Sequence, residues 1–358
     1  MVKMKKILVL GSFGFQDSHC DGQTVKTRNL LDLLNKNEVA SDFFDTDSFR
    51  HNKMMAFTLL LKLFKCRVLY FLPAQNSLTY LLPIVFIISK ITRMDIHYFV
   101  VGGWLVEYLE KKTWHRKKLS KIAGIHCETQ LMKTQLEDNY GFKNVDVFPN
   151  FRISSFIPTN HHKEGKLKLV FMARVVKMKG IDTIFALCEK IRDNKLDNEI
   201  TIDFYGPYDR DNIDGSIEYF NNNIKKYSFT QYHGVLNPEQ INEVLEQYDV
   251  MLLPTHYYTE GLPGSILDAY MSGIPVIVTR WKHATEFVDD DKTGFIIPFD
   301  DDGAALYDAV MRLFNDTEKL TRFKLSSFEK AYDFSYEKAS MLIKTYLYPQ
   351  NTQKKQSN

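Results

Sequence analysis

Short apolar and β-branched runs alternate along this chain with longer stretches whose apolar residues recur every three to four positions. In the first half, KILVLG (6–11) precedes a helical pattern at 22–36, and CRVLYFL (66–72) precedes an oily one at 78–91. DIHYFVVGG (95–103) precedes 104–122, AGIHCET (123–129) precedes 130–141, and VDVFPN (145–150) closes the series. Residues 151–166 are polar and aperiodic and read as a linker. The alternation then restarts, with strands expected at 167–175, 199–206, 232–236, 249–255 and 275–279 and helical patterns between them. Strands that alternate with helices form right-handed βαβ units around a parallel sheet. The expected fold is α/β: two Rossmann-like doubly wound domains facing across a cleft, with ligands at the carboxyl ends of the strands. The expected boundaries are 1–155 and 156–334, then a helix at 335–348 packing back on the first domain and a disordered tail at 349–358.

A length of 358 residues fits two domains, and 44% apolar residues can fill two cores. Cys20, Cys66, Cys127 and Cys188 are scattered without a C-x-x-C spacing, which fits reduced thiols in a cytoplasmic protein. The basic start MVKMKK is followed by an apolar run of about five residues, too short for a signal peptide. The oily segment 78–91 contains Pro83 and is too short to span a bilayer. A net charge of +2 gives no footprint for nucleic acid, and none is expected as a partner. The charge is uneven, however: residues 1–160 hold 22 Lys and Arg against 14 Asp and Glu, leaving the remainder net acidic. One half therefore faces something anionic.

The candidate chemistry begins at TEGLPGSILDAYMSGIPVIV (259–278). Glu260 lies in a loop, and Gly261, Leu262, Pro263 and Gly264 lead tightly into a helix. The unpaired amides of Gly264, Ser265 and Ile266 at such a start suit a phosphate. Asp268, one turn in, is better placed to accept hydrogen bonds from sugar hydroxyls than to sit beside a phosphate. The plain alternative is that Glu260 is a solvated loop acid and Asp268 favours the helix start electrostatically. A second element, FMARVVKMKGIDTI, puts Arg174 at a strand end and Lys179 five residues later before another helix start. Two cations and a helix start at one sheet edge form a diphosphate clamp, unless both are simply exposed loop cations.

Together these pieces resemble the retaining, family-four glycosyltransferases of the GT-B fold over essentially the whole chain. The residues that carry the resemblance are Arg174, Lys179–Gly180, Gly206, HGVL (233–236), Pro254, EGLP (260–263), Asp268 and GIPVIV (273–278). The resemblance implies that Arg174 and Lys179 hold a nucleotide-sugar diphosphate and that Glu260 binds hydroxyls of the transferred sugar. It also implies that Asp268 binds the ribose and that Gly206 and Val235 bind the donor, Gly206 at the nucleobase wall. The first domain becomes the acceptor side, where Gly22 and Gln23 approach donor or acceptor and Gly102 and Gly103 let substrate close to the backbone. His97 is a weaker acceptor-side candidate with a structural alternative. Two departures stand out: Asp268 replaces the family's usual Glu, and GPYDRD follows Gly206 where the family has Gly-x-Gly.

Charge on the leaving diphosphate is met by the cations, so no cofactor and no metal are expected. Asp45/Asp47, Asp209/Asp211 and Asp289–Asp291 read as loop acids. EKKTWHRKKLSK (110–121) holds six Lys and Arg in twelve residues around Trp114. With the oily segments 57–65 and 78–91 it suits an anionic membrane surface, or is a solvated helix face beside ordinary core helices. The implied activity is hexosyl transfer to a saccharide acceptor, lipid-linked, in surface-polysaccharide assembly. A nucleotide-sugar epimerase and a non-catalytic nucleotide-sugar binding module are the alternatives. The missing G-x-G-x-x-G disfavours a nicotinamide enzyme.

Overall fold

The computed structural model describes residues 6–15, 22–159, 165–209, 212, 214–299 and 302–347; Cys20, Asp211 and the tail at 349–358 lie outside them. The chain divides into two compact units, Met1–Ile153 with Phe334–Asn358, and Ser154–Asp333.

Among the described residues, the first unit holds a six-stranded parallel sheet of β1 (Ile7–Gly11), β2 (Ser41–Asp45), β3 (Val68–Leu72), β4 (Asp95–Phe99), β5 (Gly124–Cys127) and β6 (Val145–Val147). The spatial order is β2-β1-β3-β4-β5-β6. β1 and β5 are buried along their whole length, which is why they read as unbroken apolar runs: a parallel strand is covered on both faces. One face packs under the helices Met55–Lys65, Gln75–Thr92, Leu105–Lys111 and Gln130–Tyr140. The other packs under Gly22–Lys36 and the carboxy-terminal helix Tyr336–Leu347, whose Ala339 and Ile343 join Ile7, Val9 and Leu33. The basic pattern at 104–122 forms two helices, because Lys112 (φ −123°, ψ 65°) leaves the helical region between Leu105–Lys111 and Thr113–Leu119.

The second unit repeats the plan with β7 (Leu167–Met172), β8 (Ile200–Tyr205), β9 (Thr230–Tyr232), β10 (Val250–Leu253), β11 (Val276–Thr279) and β12 (Gly294–Ile297), in the order β12-β11-β10-β7-β8-β9. Its helices include Ile181–Asp193 against Ala304–Phe314, and Gly264–Met271 against Thr317–Ala331. The strand expected at 232–236 is corrected: β9 ends at Tyr232, and HGVL forms the loop beyond it. The His233 amide still donates to Phe204 O (2.9 Å), but Gly234 then turns its carbonyl onto the Gly206 amide (2.8 Å). β2 and β12 were not foreseen.

Candidate active site

The carboxyl edge of the second sheet is built on β7, β8 and β10. After β7 the chain passes Arg174, turns at Lys177–Lys179 and enters the helix Ile181–Asp193. That turn is pinned from the β10 side. The Met178 carbonyl accepts from the His256 amide (3.0 Å) and from Thr255 Oγ1 (3.0 Å), while the Thr255 carbonyl accepts from Thr279 Oγ1. Gly180 and Gly206 allow the close crossings. A Cβ at Gly180 would lie 2.1 Å from Pro254 O, and one at Gly206 would lie 1.9 Å from Ala173 O, both against rigid backbone.

This packing brings the two sequence elements together. Lys179 Nζ donates to Glu260 Oε2, with side-chain exposures of 18% and 16%. The Glu260 amide donates to Tyr257 O (3.1 Å), which closes the loop behind the carboxylate. Arg174 reaches outward and meets Asp209 (3.3 Å), with 56% of its side chain exposed. Asp182, in the first turn of the helix after Lys179, is 3.0 Å from His256 Nε2. Burial raises its carboxyl, but the hydrogen bond and charge of His256 outweigh burial and hold it below the usual carboxylate range.

Gly261, Leu262 and Pro263 are buried and deliver the chain to Gly264–Met271 without a side-chain cap. The Ile266 amide donates to Pro263 O (3.1 Å), which corrects the expectation of three open amides. Those of Gly264 and Ser265 have no partner among the described residues. Ile266, Leu267 and Tyr270 pack into the core, and Asp268 is buried beside them. Its carbonyl accepts from Ser272 Oγ (2.7 Å) and Asn242 Nδ2 (3.3 Å). Tyr232 OH donates to Gly206 O (2.8 Å), so the Gly206 turn and the loop presenting exposed Val235 form one assembly. A carboxylate, two cations, open helix-start amides and a buried acid thus share one edge.

In the first unit, Gly22 opens the helix Gly22–Lys36, and a Cβ placed there would meet nothing within 4 Å. Gln23 Nε2 donates to Leu72 O (3.1 Å) at the end of β3. Gly102 and Gly103 follow β4, and the Gly102 amide donates to Glu128 (3.3 Å). His97 is separate from them. It lies within β4 against the carboxy-terminal helix, with its Nδ1 3.0 Å from His126 Nε2 and its ring 6.5 Å from that of Tyr346. The residue is half-buried at the middle of the strand.

Sequence reasoning missed the most buried ion pair of this edge. Lys26 Nζ donates to Glu128 (2.6 Å) and Val100 O (2.7 Å), with side-chain exposures of 1% and 3% for the pair. The signal was present: Lys26, Leu30, Leu33 and Leu34 follow helical spacing, and a lysine occupies a position of the apolar stripe. Asp45, Asp47 and Asp289–Asp291 are engaged by protein. Asp45 accepts from the Phe13 and Asp47 amides (both 3.0 Å), and Asp47 from Ser12 Oγ (2.5 Å). Asp289, Asp290 and Asp291 hold Lys330, the Ile296 amide, and Arg312 with Lys319.

Residues 154–329 match the family model of glycosyl transferases group 1, and this stretch of the chain is a glycosyl transferases group 1 domain. Among curated relatives, a protein of Escherichia coli (strain K12) named as a colanic acid biosynthesis glycosyltransferase is 25% identical over 139 residues. That match covers 38% of this chain and 33% of the relative, so the chain spans about a third of its length. An uncharacterised 41.2 kDa protein of the cps region of Klebsiella pneumoniae is 24% identical over 263 residues, 63% of this chain and 71% of the relative. Among solved structures, Anabaena HepE in complex with UDP and glucose matches with a TM-score of 0.73 at 15% identity, covering 96% of this chain and 99% of HepE. The fold is GT-B.

Proposed function

We propose that the protein is a retaining glycosyltransferase of family four. It moves a hexose-type sugar from a nucleotide-diphosphate sugar to a saccharide acceptor, lipid-linked, in the assembly of capsule, O-antigen or exopolysaccharide. The carrying observation is the convergence of Lys179, Glu260 and Arg174 with the open amides of Gly264 and Ser265. The colanic acid relative and the UDP- and glucose-bound HepE support the same class.

Transfer from a nucleotide sugar develops positive charge at the anomeric carbon and negative charge on the departing diphosphate. The largest help a protein gives is preorganised stabilisation of that charge. Arg174, Lys179 and the two amides supply it, with no cofactor or metal in the scheme. Glu260 holds hydroxyls of the transferred sugar, and buried Asp268 takes the ribose. The acceptor attacks on the leaving-group face, so the anomeric configuration is retained without a protein nucleophile. On donor binding, phosphate oxygens replace the Glu260 carboxylate on Lys179 and the Asp209 carboxylate on Arg174. Each is a charge-assisted bond exchanged for another of similar strength. The protein acts in the cytoplasm, on the inner face of the cell membrane.

Calorimetric titration with UDP-, GDP- and ADP-sugars tests this reading. Micromolar binding of one donor is expected, weakened at least about tenfold in Arg174→Ala, the loss of roughly one charged hydrogen bond. Binding of none by folded protein would contradict it.

A further inference from the structure

Two neighbouring helices of the first unit are apolar on the side that faces solvent. In Met55–Lys65, Leu59 and Leu63 are core residues, while Phe57, Leu60, Leu61 and Phe64 are exposed. Their spacing puts all four on one stripe. In Gln75–Thr92, Leu78, Leu82 and Val85 are buried, while Tyr80, Ile84, Ile87 and Ile91 form a second exposed stripe. Ile91 is 67% exposed and Tyr80 75%. The two helices pack against each other, so the stripes adjoin. Surface helices ordinarily turn polar residues outward, and a contiguous apolar patch of this kind marks an interaction site.

The segment of chain that carries the stripes is charged with one sign, and Asp42 of β2 pairs with its Lys62 at 2.7 Å. From Ser48 to Met94 the sequence contains no Asp or Glu across 47 residues, and it contains seven Lys and Arg. The next helix against Gln75–Thr92 is Thr113–Leu119, with half-exposed Trp114 and the cations Arg116, Lys117 and Lys118. Lys118 Nζ lies 5.0 Å from the Phe86 ring and 5.4 Å from the Trp114 ring, and Lys90 Nζ lies 5.0 Å from Phe86. Cations and an aromatic therefore border the apolar stripes. No helix among the described residues is long and apolar enough to cross a membrane.

We infer that the exposed faces of Met55–Lys65 and Gln75–Thr92 dock the first unit on an anionic phospholipid surface. The apolar stripes enter the acyl boundary, Trp114 sits at headgroup level, and Lys90 and Lys118 meet lipid phosphates. Charge complementarity selects this occupant: a second copy would set the same cations against each other, whereas an anionic leaflet neutralises them. The inference deepens the functional reading by giving a lipid-linked acceptor the surface on which it is met.

The test is flotation of the full chain with phosphatidylcholine vesicles, with or without about a third phosphatidylglycerol. Three proteins are compared: wild type, Phe64→Ser with Ile87→Ser, and Lys90→Glu with Lys118→Glu. Wild type is expected to float with anionic vesicles at low salt and far less with neutral ones. The charge variant should lose at least about tenfold in vesicle affinity, and the apolar variant should lose the binding that survives high salt. Unchanged melting temperatures and nucleotide-sugar affinities establish that both variants fold. Absence of wild-type flotation with anionic vesicles, or flotation unchanged in both variants, would overturn the inference. So would a dimer in light scattering that the apolar variant dissolves while vesicles bind nothing. No donor enters the assay, so failure here leaves the sugar-transfer reading standing, and failure of donor binding leaves the docking face standing.

Discussion

Each unit sets a lysine against a glutamate at the carboxyl edge of its sheet, and the surroundings give the two pairs different work. Lys26 and Glu128 are sealed: the ammonium also meets the Val100 carbonyl, and the carboxylate also meets the Gly102 amide. Lys179 and Glu260 keep 18% and 16% of their side chains in solvent, beside an arginine that is more than half exposed. A desolvated pair whose polar atoms are taken by backbone is a strut, because removing one partner strands a charge in the interior. A pair within reach of solvent exchanges its partner for a ligand at small net cost. Residue type and topological position alone do not separate the two; burial does.

Three experiments bear on that contrast. Lys26→Met should cost about 3–5 kcal/mol in urea unfolding, since the buried Glu128 carboxylate loses its counter-ion. The double variant Lys26→Met with Glu128→Leu should recover most of that loss, and a cost below about 1 kcal/mol for the single variant would mean the pair is not a strut. Asp268→Asn keeps the shape of the buried side chain and removes its charge. It should raise the donor dissociation constant about fivefold, near 1 kcal/mol, with the melting temperature unchanged. An unchanged affinity would remove Asp268 from the site.

The smallest effect is in acid. Burial, with the neighbouring His97 and Lys26, holds the His126 imidazole well below its usual range, so the ring is neutral in the folded first unit. The unfolded chain takes up that proton below about pH 6.5, so the stability it supports is full above that pH and falls as the pH drops. Asp182 in the second unit is depressed below the carboxylate range, so its contribution persists until the pH falls through that range, below about pH 4. Acid unfolding followed by tryptophan fluorescence and circular dichroism should therefore show the first unit weakening earlier. His126→Gln should flatten its slope between about pH 5 and 6.5, the interval over which the unfolded imidazole charges. An unaltered slope would assign the acid sensitivity to other groups.

Much of this was legible from pattern. The strands β1, β10 and β11 are continuous apolar runs because both faces are covered, and the Lys179, Glu260 and Asp268 spacings pointed to one edge of one sheet. β2 was not legible, because Ser41–Asp45 is an edge strand with Asp42 and half-exposed Phe43 on it. β12 was hidden because it is an edge strand that directly follows the polar Asp289–Thr293 stretch. HGVL looked like the continuation of a strand because Val235 and Leu236 are apolar and follow Tyr232; the turn at Gly234, which bonds the Gly206 amide, is a tertiary contact. Lys26 betrayed itself by its place in an apolar stripe, but its partner Glu128 is 102 positions away, and nothing local records such a pairing. The same holds for Asp209, which takes the Arg174 guanidinium across 35 positions.

The central claim is that Lys179 is a ligand cation and not a strut, and one titration tests it most directly. The nucleoside diphosphates UDP, GDP and ADP are titrated into wild type and Lys179→Ala, with urea unfolding of both proteins alongside. The best-bound nucleotide is expected to lose about 1.5–3 kcal/mol of affinity, roughly ten- to 150-fold, while stability changes by no more than about 1 kcal/mol. Equal affinities in the two proteins, or a stability loss as large as that of Lys26→Met, would make the second pair structural like the first.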